Sequence, residues 1–310
     1  MEVYRRLKDL RDLPGPLSFA IGVFDGVHVG HREVIESALH DSVKGGTTVV
    51  LSFDPHPMQV LAPAKAPRLL TSSHHKERLI AGLGVEHYCV LTFDEQLAGL
   101  VARDFLKLLI GSTSSGICSM WVGEEWLFGK GATGDVALMR EVGESEGFAV
   151  GAVPAVLFKG ERVSSTRVRH AVQLGNFELA RNLLGRDYTV RDTVIEGKKL
   201  GRELGFPTAN LKVHNEQLPP SGVYAVEVEV GTQVLYGVGN LGLRPTVDRD
   251  EVKRMLEVHL FDFDDDLYSK ELEVKFLHYL REEKKFEGVE ALQAQITCDV
   301  QLAKEKMKLL

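Results

Sequence analysis

Leu17-Ser-Phe-Ala-Ile-Gly-Val-Phe24, then Asp25-Gly-Val-His28-Val-Gly-His31, then Glu33-Val-Ile-Glu-Ser-Ala-Leu39 is the stretch from which the fold is read. The first run is apolar almost throughout, as in a strand buried on both faces. The third repeats its apolar residues at helical spacing. The middle is a glycine-bearing turn that carries His28 and His31, three apart, onto the first turn of the helix. Helix starts leave backbone N–H groups free and carry partial positive charge, so they bind anions. With two imidazoles added, the turn suggests a nucleotide's phosphates. An alternative stays open here, in which His28 and His31 ligate a metal together with Asp25 or Asp54.

Working outward, strand-like runs at 19–24, 47–53, 88–93, 117–122 and 148–156 alternate with helix-like segments at 31–43, 74–83, 95–109 and 135–146. That order predicts a parallel sheet with helices on both faces, a Rossmann-like α/β domain over residues 1–185. Ligands bind such sheets beyond the carboxyl ends of the strands. Both the histidine turn and Ser52-Phe-Asp54-Pro-His56-Pro57 fall at such ends. The second segment also reads simply as a rigid turn.

After Gly185 the texture changes. Runs at 188–195, 223–230, 234–238, 255–261 and 272–276 are short, β-branched or alternating, with Gly, Pro, Asn and Asp between them. Closely spaced strands without helices predict an antiparallel β-barrel over residues 186–310. Phe286, Val289, Leu292, Ile296, Val300 and Ala303 step by three or four, which predicts a terminal helix packed on that barrel.

Composition bounds the function. The 310 residues are 44% hydrophobic and 26% charged, ordinary for a globular protein, and the net charge of −7 argues against a general nucleic-acid partner. No apolar run approaches the length of a bilayer span, and the first residues lack the apolar core of a secretory signal. No membrane partner and a cytoplasmic location are therefore expected. The three cysteines, Cys89, Cys118 and Cys298, are an odd number without C-x-x-C spacing, which speaks against a disulfide framework or zinc knuckle.

Two further segments carry polar chemistry. Arg162-Val-Ser164-Ser-Thr166-Arg-Val-Arg169 places hydroxyls and arginines just before another helix, where they either cap the helix or bind phosphate. Gly197-Lys-Lys-Leu-Gly201-Arg-Glu-Leu-Gly205-Phe-Pro207-Thr208-Ala-Asn210 is a glycine-rich loop that lets backbone approach phosphates. It lacks Walker spacing. In an extended chain Thr208 and Asn210 share a side, and their oxygens suit Mg²⁺. A plain glycine-rich hairpin with a polar tip is the competing reading. In Leu256-Glu257-Val-His259, Glu257 sits opposite the apolar residues and could take a proton from a hydroxyl.

Taken together, Gly22-x-Phe-Asp-Gly-x-His28-x-Gly-His31 and Ser164-Ser-Thr166-x-x-Arg169 resemble the HxGH nucleotidyltransferases. Phe53-Asp-Pro-His-Pro57 and Val122-Gly-Glu-Glu125-Trp-Leu-Phe128-Gly narrow the resemblance to the adenylyltransferase module of bacterial bifunctional riboflavin kinase/FAD synthetases. Gly205-Phe-Pro-Thr-Ala-Asn210, Asn240-Leu-Gly-Leu-Arg-Pro-Thr246 and Glu257-Val-His-Leu-x-Asp-Phe-Asp264 are similar to the kinase module of the same family. The resemblance implies an enzyme that phosphorylates riboflavin with ATP to FMN, then transfers AMP from ATP to FMN, giving FAD and pyrophosphate.

It further implies that His28 and His31 stabilise the AMP-transfer transition state, and that Gly22, Phe24, Asp25, Gly30, Ser164, Thr166 and Arg169 bind ATP. Asp54, His56, Glu125 and Phe128 would bind the flavin. In the kinase module Gly197, Gly201, Gly205, Pro207, Thr208 and Asn210 would bind ATP, Thr208 and Asn210 would hold Mg²⁺, and Glu257 would be the base. This chain departs from the family pattern at Glu125, where many relatives carry Asp or Asn, and at Asp265, where Gly is usual.

Overall fold

The computed structural model describes residues 1–42, 46–197, 201, 204–211, 213, 216–245 and 252–309. Contacts divide the chain into two units, Met1–Leu69 with Ser73–Arg167, and Leu70–Ser72 with Val168–Leu310.

In the first unit β1 (Glu2–Tyr4), β2 (Leu17–Ile21), β3 (Thr47–Asp54), β4 (His87–Thr92), β5 (Ile117–Gly123) and β6 (Ala149–Val153) form a six-stranded parallel sheet in the order β1-β4-β3-β2-β5-β6. All five residues of β2 are buried. Phe19 and Ile21 join Leu51 and Met120 in the core on one face, and Ala20 joins Val50 and Tyr88 on the other. Each large side chain buried this way stabilises the unit by about 1.5–3 kcal/mol, so nothing favours a polar alternation along these strands.

The helices α1 (Val29–Ser42), α2 (Pro57–Leu61), α3 (Ser73–Ala81), α4 (Glu95–Ala98), α5 (Ala102–Ile110) and α6 (Val136–Glu146) connect the strands. The single helix predicted over 95–109 is two. Asp94 caps α4 by accepting from the Leu97 N–H at 2.8 Å, Gly99 closes that helix, and Val101 is extended before α5 begins. The sheet order places the chain's reversal at β2, which has β3 on one side and β5 on the other. Ligand crevices form at such a switch point, outside the carboxyl ends of the strands.

A hairpin of β7 (Leu157–Phe158) and β8 (Glu161–Arg162) leads into α7 (Ser165–Gln173) and α8 (Phe177–Leu184). The second unit then closes a barrel from β9 (Thr189–Ile195), β10 (Ala209–Leu211), β11 (Gly222–Val230), β12 (Gln233–Pro245), β13 (Val252–Leu260) and β14 (Glu271–Arg281), in the order β10-β13-β12-β11-β14-β9. Every pair in it is antiparallel. β10 falls in a segment predicted only as extended loop. Its three residues pair with β9 and β13 and complete the closure. The terminal helix α9 (Val289–Lys306) packs on the barrel, with Ala303 in one buried cluster with Val223, Ala225 and Val238. Among the described residues no helix is long and apolar enough to cross a membrane.

Candidate functional site

Where β2 ends, the chain makes the turn that the glycines announce. Phe24 and Val27 have φ of 53° and 41°, a left-handed conformation that costs non-glycine residues energy and persists only where surroundings enforce it. Two side chains anchor this loop through the Val23 carbonyl. Ser52 Oγ donates to it at 3.0 Å and Lys76 Nζ at 3.2 Å. Ser165 Oγ donates to the Asp25 carbonyl at 2.9 Å. Burial pushes the Lys76 ammonium below its ordinary pKa, while Asp25, Asp54 and Glu77 nearby oppose that shift.

His28 is buried, and its Nδ1 accepts from the backbone N–H of His31 at 3.2 Å, so it caps the start of α1. The two imidazoles stack with centroids 3.6 Å apart and planes 14° from parallel. Both line a cavity of about 340 Å³ at the carboxyl ends of β2, β5 and β6. Gly22, Phe24, Gly30, Glu125 and Ser164 line it too, together with Trp126 and Arg162. At its edge Glu125 and Arg162 form an ion pair between half-exposed side chains. Ser164 Oγ accepts from the Arg167 N–H at 3.3 Å, capping α7, while the Arg167 guanidinium donates to the carbonyls of Phe158 and Glu161.

The barrel presents a second arrangement. Register sets Asn210 on β10, Glu257 on β13 and Asn240 on β12 in one row across three strands. The row continues through Val223 on β11 to Arg281 on β14. All five residues line a cavity of about 230 Å³. α9 closes its side, where Arg281 makes a two-pronged pair with Asp299 at 2.8 and 2.6 Å. A neighbouring cavity of about 590 Å³ is lined by Gly205, Pro207 and the acidic turn Asp264, Asp265 and Asp266. Thr208 lines both cavities. His259 holds the intervening segment, its Nδ1 bonded to the Pro207 carbonyl at 2.9 Å and its ring edge-on to Phe206. At Gly197 a Cβ would fall 2.3 Å from the Asn210 amide, so only glycine lets the loop pass there.

The comparisons with known proteins divide along the same line. A family model described as FAD synthetase matches residues 11–167, and one described as riboflavin kinase matches residues 184–307. The bifunctional riboflavin kinase/FMN adenylyltransferase of Pseudomonas fluorescens is 38% identical over 306 residues, covering 98% of this chain and 97% of its own. Those of Escherichia coli K12 and Bacillus subtilis are each 36% identical, covering 98% and 92% of this chain and 97% and 90% of theirs. The chain belongs to the bifunctional riboflavin kinase/FMN adenylyltransferase family. A crystal structure named as a macrolide-efflux protein from Streptococcus pneumoniae shares the fold, with a TM-score of 0.81, 29% identity and 98% of each chain covered.

Not every residue expected from the riboflavin kinase/FMN adenylyltransferase resemblance reaches a cavity. Phe128 does not line the first one. It is buried against Phe105 and stacks behind Trp126 at 4.7 Å, so the half-buried Trp126 lines the cavity in its place. Asp54 accepts from Ser73 Oγ at 2.8 Å, and His56 caps α2 by accepting from the Met58 N–H at 3.1 Å. Asp25 is buried within the histidine turn and does not line the cavity. Thr166 and Arg169 lie further along α7, the helix within which the division between the units falls. Gly201 lines the smaller barrel cavity. Thr246 and residues 198–200, 202 and 203 of the two kinase motifs lie outside the described residues.

Sequence reasoning missed Lys76, Trp126, Asn240, Arg281, Glu283 and Asp299 as site residues. For Lys76 a signal exists, since it shares a helix face with Ile80, four residues on, and both are buried. Asn240 and Arg281 join the row of Glu257 through strand register, which a single sequence does not display, and Asp299 reaches Arg281 from α9.

Proposed function

We propose that the two cavities divide two consecutive transfers on one flavin. The chain is a transferase that phosphorylates riboflavin with ATP to FMN, then adenylylates FMN with a second ATP to give FAD and pyrophosphate. The observation that carries the division of labour is that the two family models fall on different units, each with its own cavity and its own polar cluster.

In the first unit His28 and His31 lie at the start of α1, where helix dipole and N–H groups favour phosphate. Transfer at phosphorus needs alignment and positive charge more than covalent help. The helix start supplies the positive potential and the stacked imidazoles supply alignment and ring N–H donors, with His28 fixed by its bond to the His31 N–H. Gly22, Phe24, Gly30 and Ser164 shape the nucleotide side, with Asp25, Thr166 and Arg169 assigned to the same ATP. Asp54, His56, Glu125 and Phe128 are assigned to FMN, Phe128 acting through the Trp126 ring it supports.

In the barrel Glu257 takes the proton of the substrate hydroxyl in the smaller cavity. Thr208, shared between the cavities, lies where the phosphoryl group must cross from nucleotide to hydroxyl. Gly197, Gly201, Gly205 and Pro207 form the nucleotide side. Asn210 Oδ1 is buried without a hydrogen-bond partner, an orphan oxygen that fits a hard cation. Mg²⁺ held by Thr208 and Asn210 would neutralise phosphate charge during transfer. We further propose functional modules of residues 1–185 and 186–310, a cytoplasmic location, and no nucleic-acid or membrane partner.

The test is direct. Purified protein incubated with riboflavin, ATP and Mg²⁺ is expected to yield FMN and then FAD when the flavins are resolved by chromatography. Unchanged riboflavin overturns the reading.

A further inference from the structure

The row across the barrel gives the Glu257 carboxylate an amide on either side. Asn210 and Asn240 are its direct partners on the two neighbouring strands, and all three line the smaller cavity. Direct cross-strand neighbours have Cβ atoms about 4.5–5.5 Å apart, within reach of one small ligand.

The two amides are held differently. Asn210 Nδ2 donates to the Thr208 carbonyl at 3.4 Å, on the nucleotide side. Asn240 Nδ2 donates to Glu283 Oε1 at 3.3 Å. An ionised carboxylate only accepts, so the nitrogen of Asn240 must face Glu283 and its oxygen must face away. That Oδ1 is buried without a hydrogen-bond partner. Room for the Glu283 carboxylate is made by Gly242, where a Cβ would fall 2.1 Å from Glu283 Oε1. The result is a buried acceptor, with its direction fixed from behind, beside the base and lacking a donor. Burial without a donor is costly, and a ligand hydroxyl removes the cost.

We propose that Asn240 Oδ1 accepts a hydrogen bond from the riboflavin 4′-hydroxyl, the neighbour of the 5′-hydroxyl that Glu257 deprotonates. Asn240 is then a specificity-determining residue that selects a vicinal polyol over a simple alcohol, and Glu283 is its positioning residue. This assignment rests on the reading of the barrel as the riboflavin kinase site. Two acceptors on adjacent strands match two hydroxyls on adjacent carbons, each donating one proton. A substrate with only the reacting hydroxyl leaves Asn240 Oδ1 unpaired, so it is the poorer substrate.

The experiment compares riboflavin with 4′-deoxyriboflavin as kinase substrates of the full chain, wild type against Asn240→Ala. Wild type is expected to prefer riboflavin in kcat/KM by about tenfold or more, the size of one unmade hydrogen bond to a buried group. In Asn240→Ala the preference is expected to fall close to one, with riboflavin used about as poorly as wild type uses the deoxy analogue. Because the ratio is taken within each protein, a general loss of active enzyme cancels. A variant that keeps the wild-type preference overturns the assignment, as does a wild type that does not discriminate. Should Asn240→Ala be inactive on both flavins, Asn240→Ser retains a shorter acceptor. A preference between one and the wild-type value supports the assignment there, and an unchanged one overturns it. A wild type that phosphorylates neither flavin overturns the kinase reading itself, and this assignment falls with it.

Discussion

Glu125 stands at the rim of the first cavity as an ion pair with Arg162. Half-exposed pairs of this kind are worth roughly 0.2–1 kcal/mol, so a phosphate can displace the carboxylate from the guanidinium at small cost. On the proposed function FMN brings negative charge to the same cleft. Glu125→Asn removes a like charge and frees Arg162. The KM for FMN is expected to fall by about two- to fivefold with kcat little changed, measured in the adenylylation assay. Cys89 gives a different residue-scale outcome. Burial raises its thiol from 9.0 to about 12. The folded thiol keeps its proton where the unfolded one has lost it. This contribution to stability is therefore present in full below pH 9.0 and is lost as the pH rises toward about 12. Chemical unfolding followed from pH 8 to 11 is expected to show a fall in stability that Cys89→Ala makes shallower by up to about 1.4 kcal/mol per pH unit above pH 9.0 and leaves unaltered below it.

At the scale of elements, the docking of α9 joins an apolar cluster around Ala303 to one charged pair. Asp299 is 5% exposed and Arg281 21%, and Gln295 Nε2 also donates to Asp299 at 2.8 Å. Removing one partner of a fully buried pair costs about 3–5 kcal/mol, and the solvent left to Arg281 reduces that here. Asp299→Ala is expected to loosen α9 and raise the KM for riboflavin, while FMN adenylylation by the same preparation is unchanged. The elements themselves were largely legible in the sequence. Five of the six parallel strands announce themselves as apolar runs because both of their faces are covered. β1 and β10 did not, since three residues carry no period. The break between α4 and α5 rests on Gly99, which helical spacing of the neighbouring apolar residues hides. Site residues were legible where chemistry is local in sequence, as in the histidine turn and the segment from Gly205 to Asn210. They were illegible where register builds the site, as with Asn240 beside Glu257.

For the molecule as a whole, two units with separate cavities imply two activities that can be lost one at a time. His28→Ala is expected to stop FAD formation and accumulate FMN, with a loss of at least a hundredfold in adenylylation, since a positioned hydrogen-bond donor at a transfer site contributes about 10²–10³. Glu257→Gln is expected to leave riboflavin unphosphorylated and still convert added FMN to FAD. An equal mixture of the two variants is expected to carry riboflavin through to FAD, read as the appearance of FAD that neither variant makes alone. If either substitution abolished both activities in folded protein, the division between the cavities would be wrong.

The wall that α9 gives the smaller barrel cavity bears on how the enzyme comes into being. Leu292, Ile296 and Asp299 in that wall are joined to the chain more than a hundred residues after Arg167, where the first unit ends. A ribosome adding about 5–20 residues per second has emitted the AMP-transferring unit many seconds before it makes them. Each new molecule thus carries its FAD synthetase segment before it carries the α9 wall of the barrel cavity. A message cut short just ahead of α9 would still encode every residue of the first cavity, yet would lose one wall of the smaller barrel cavity.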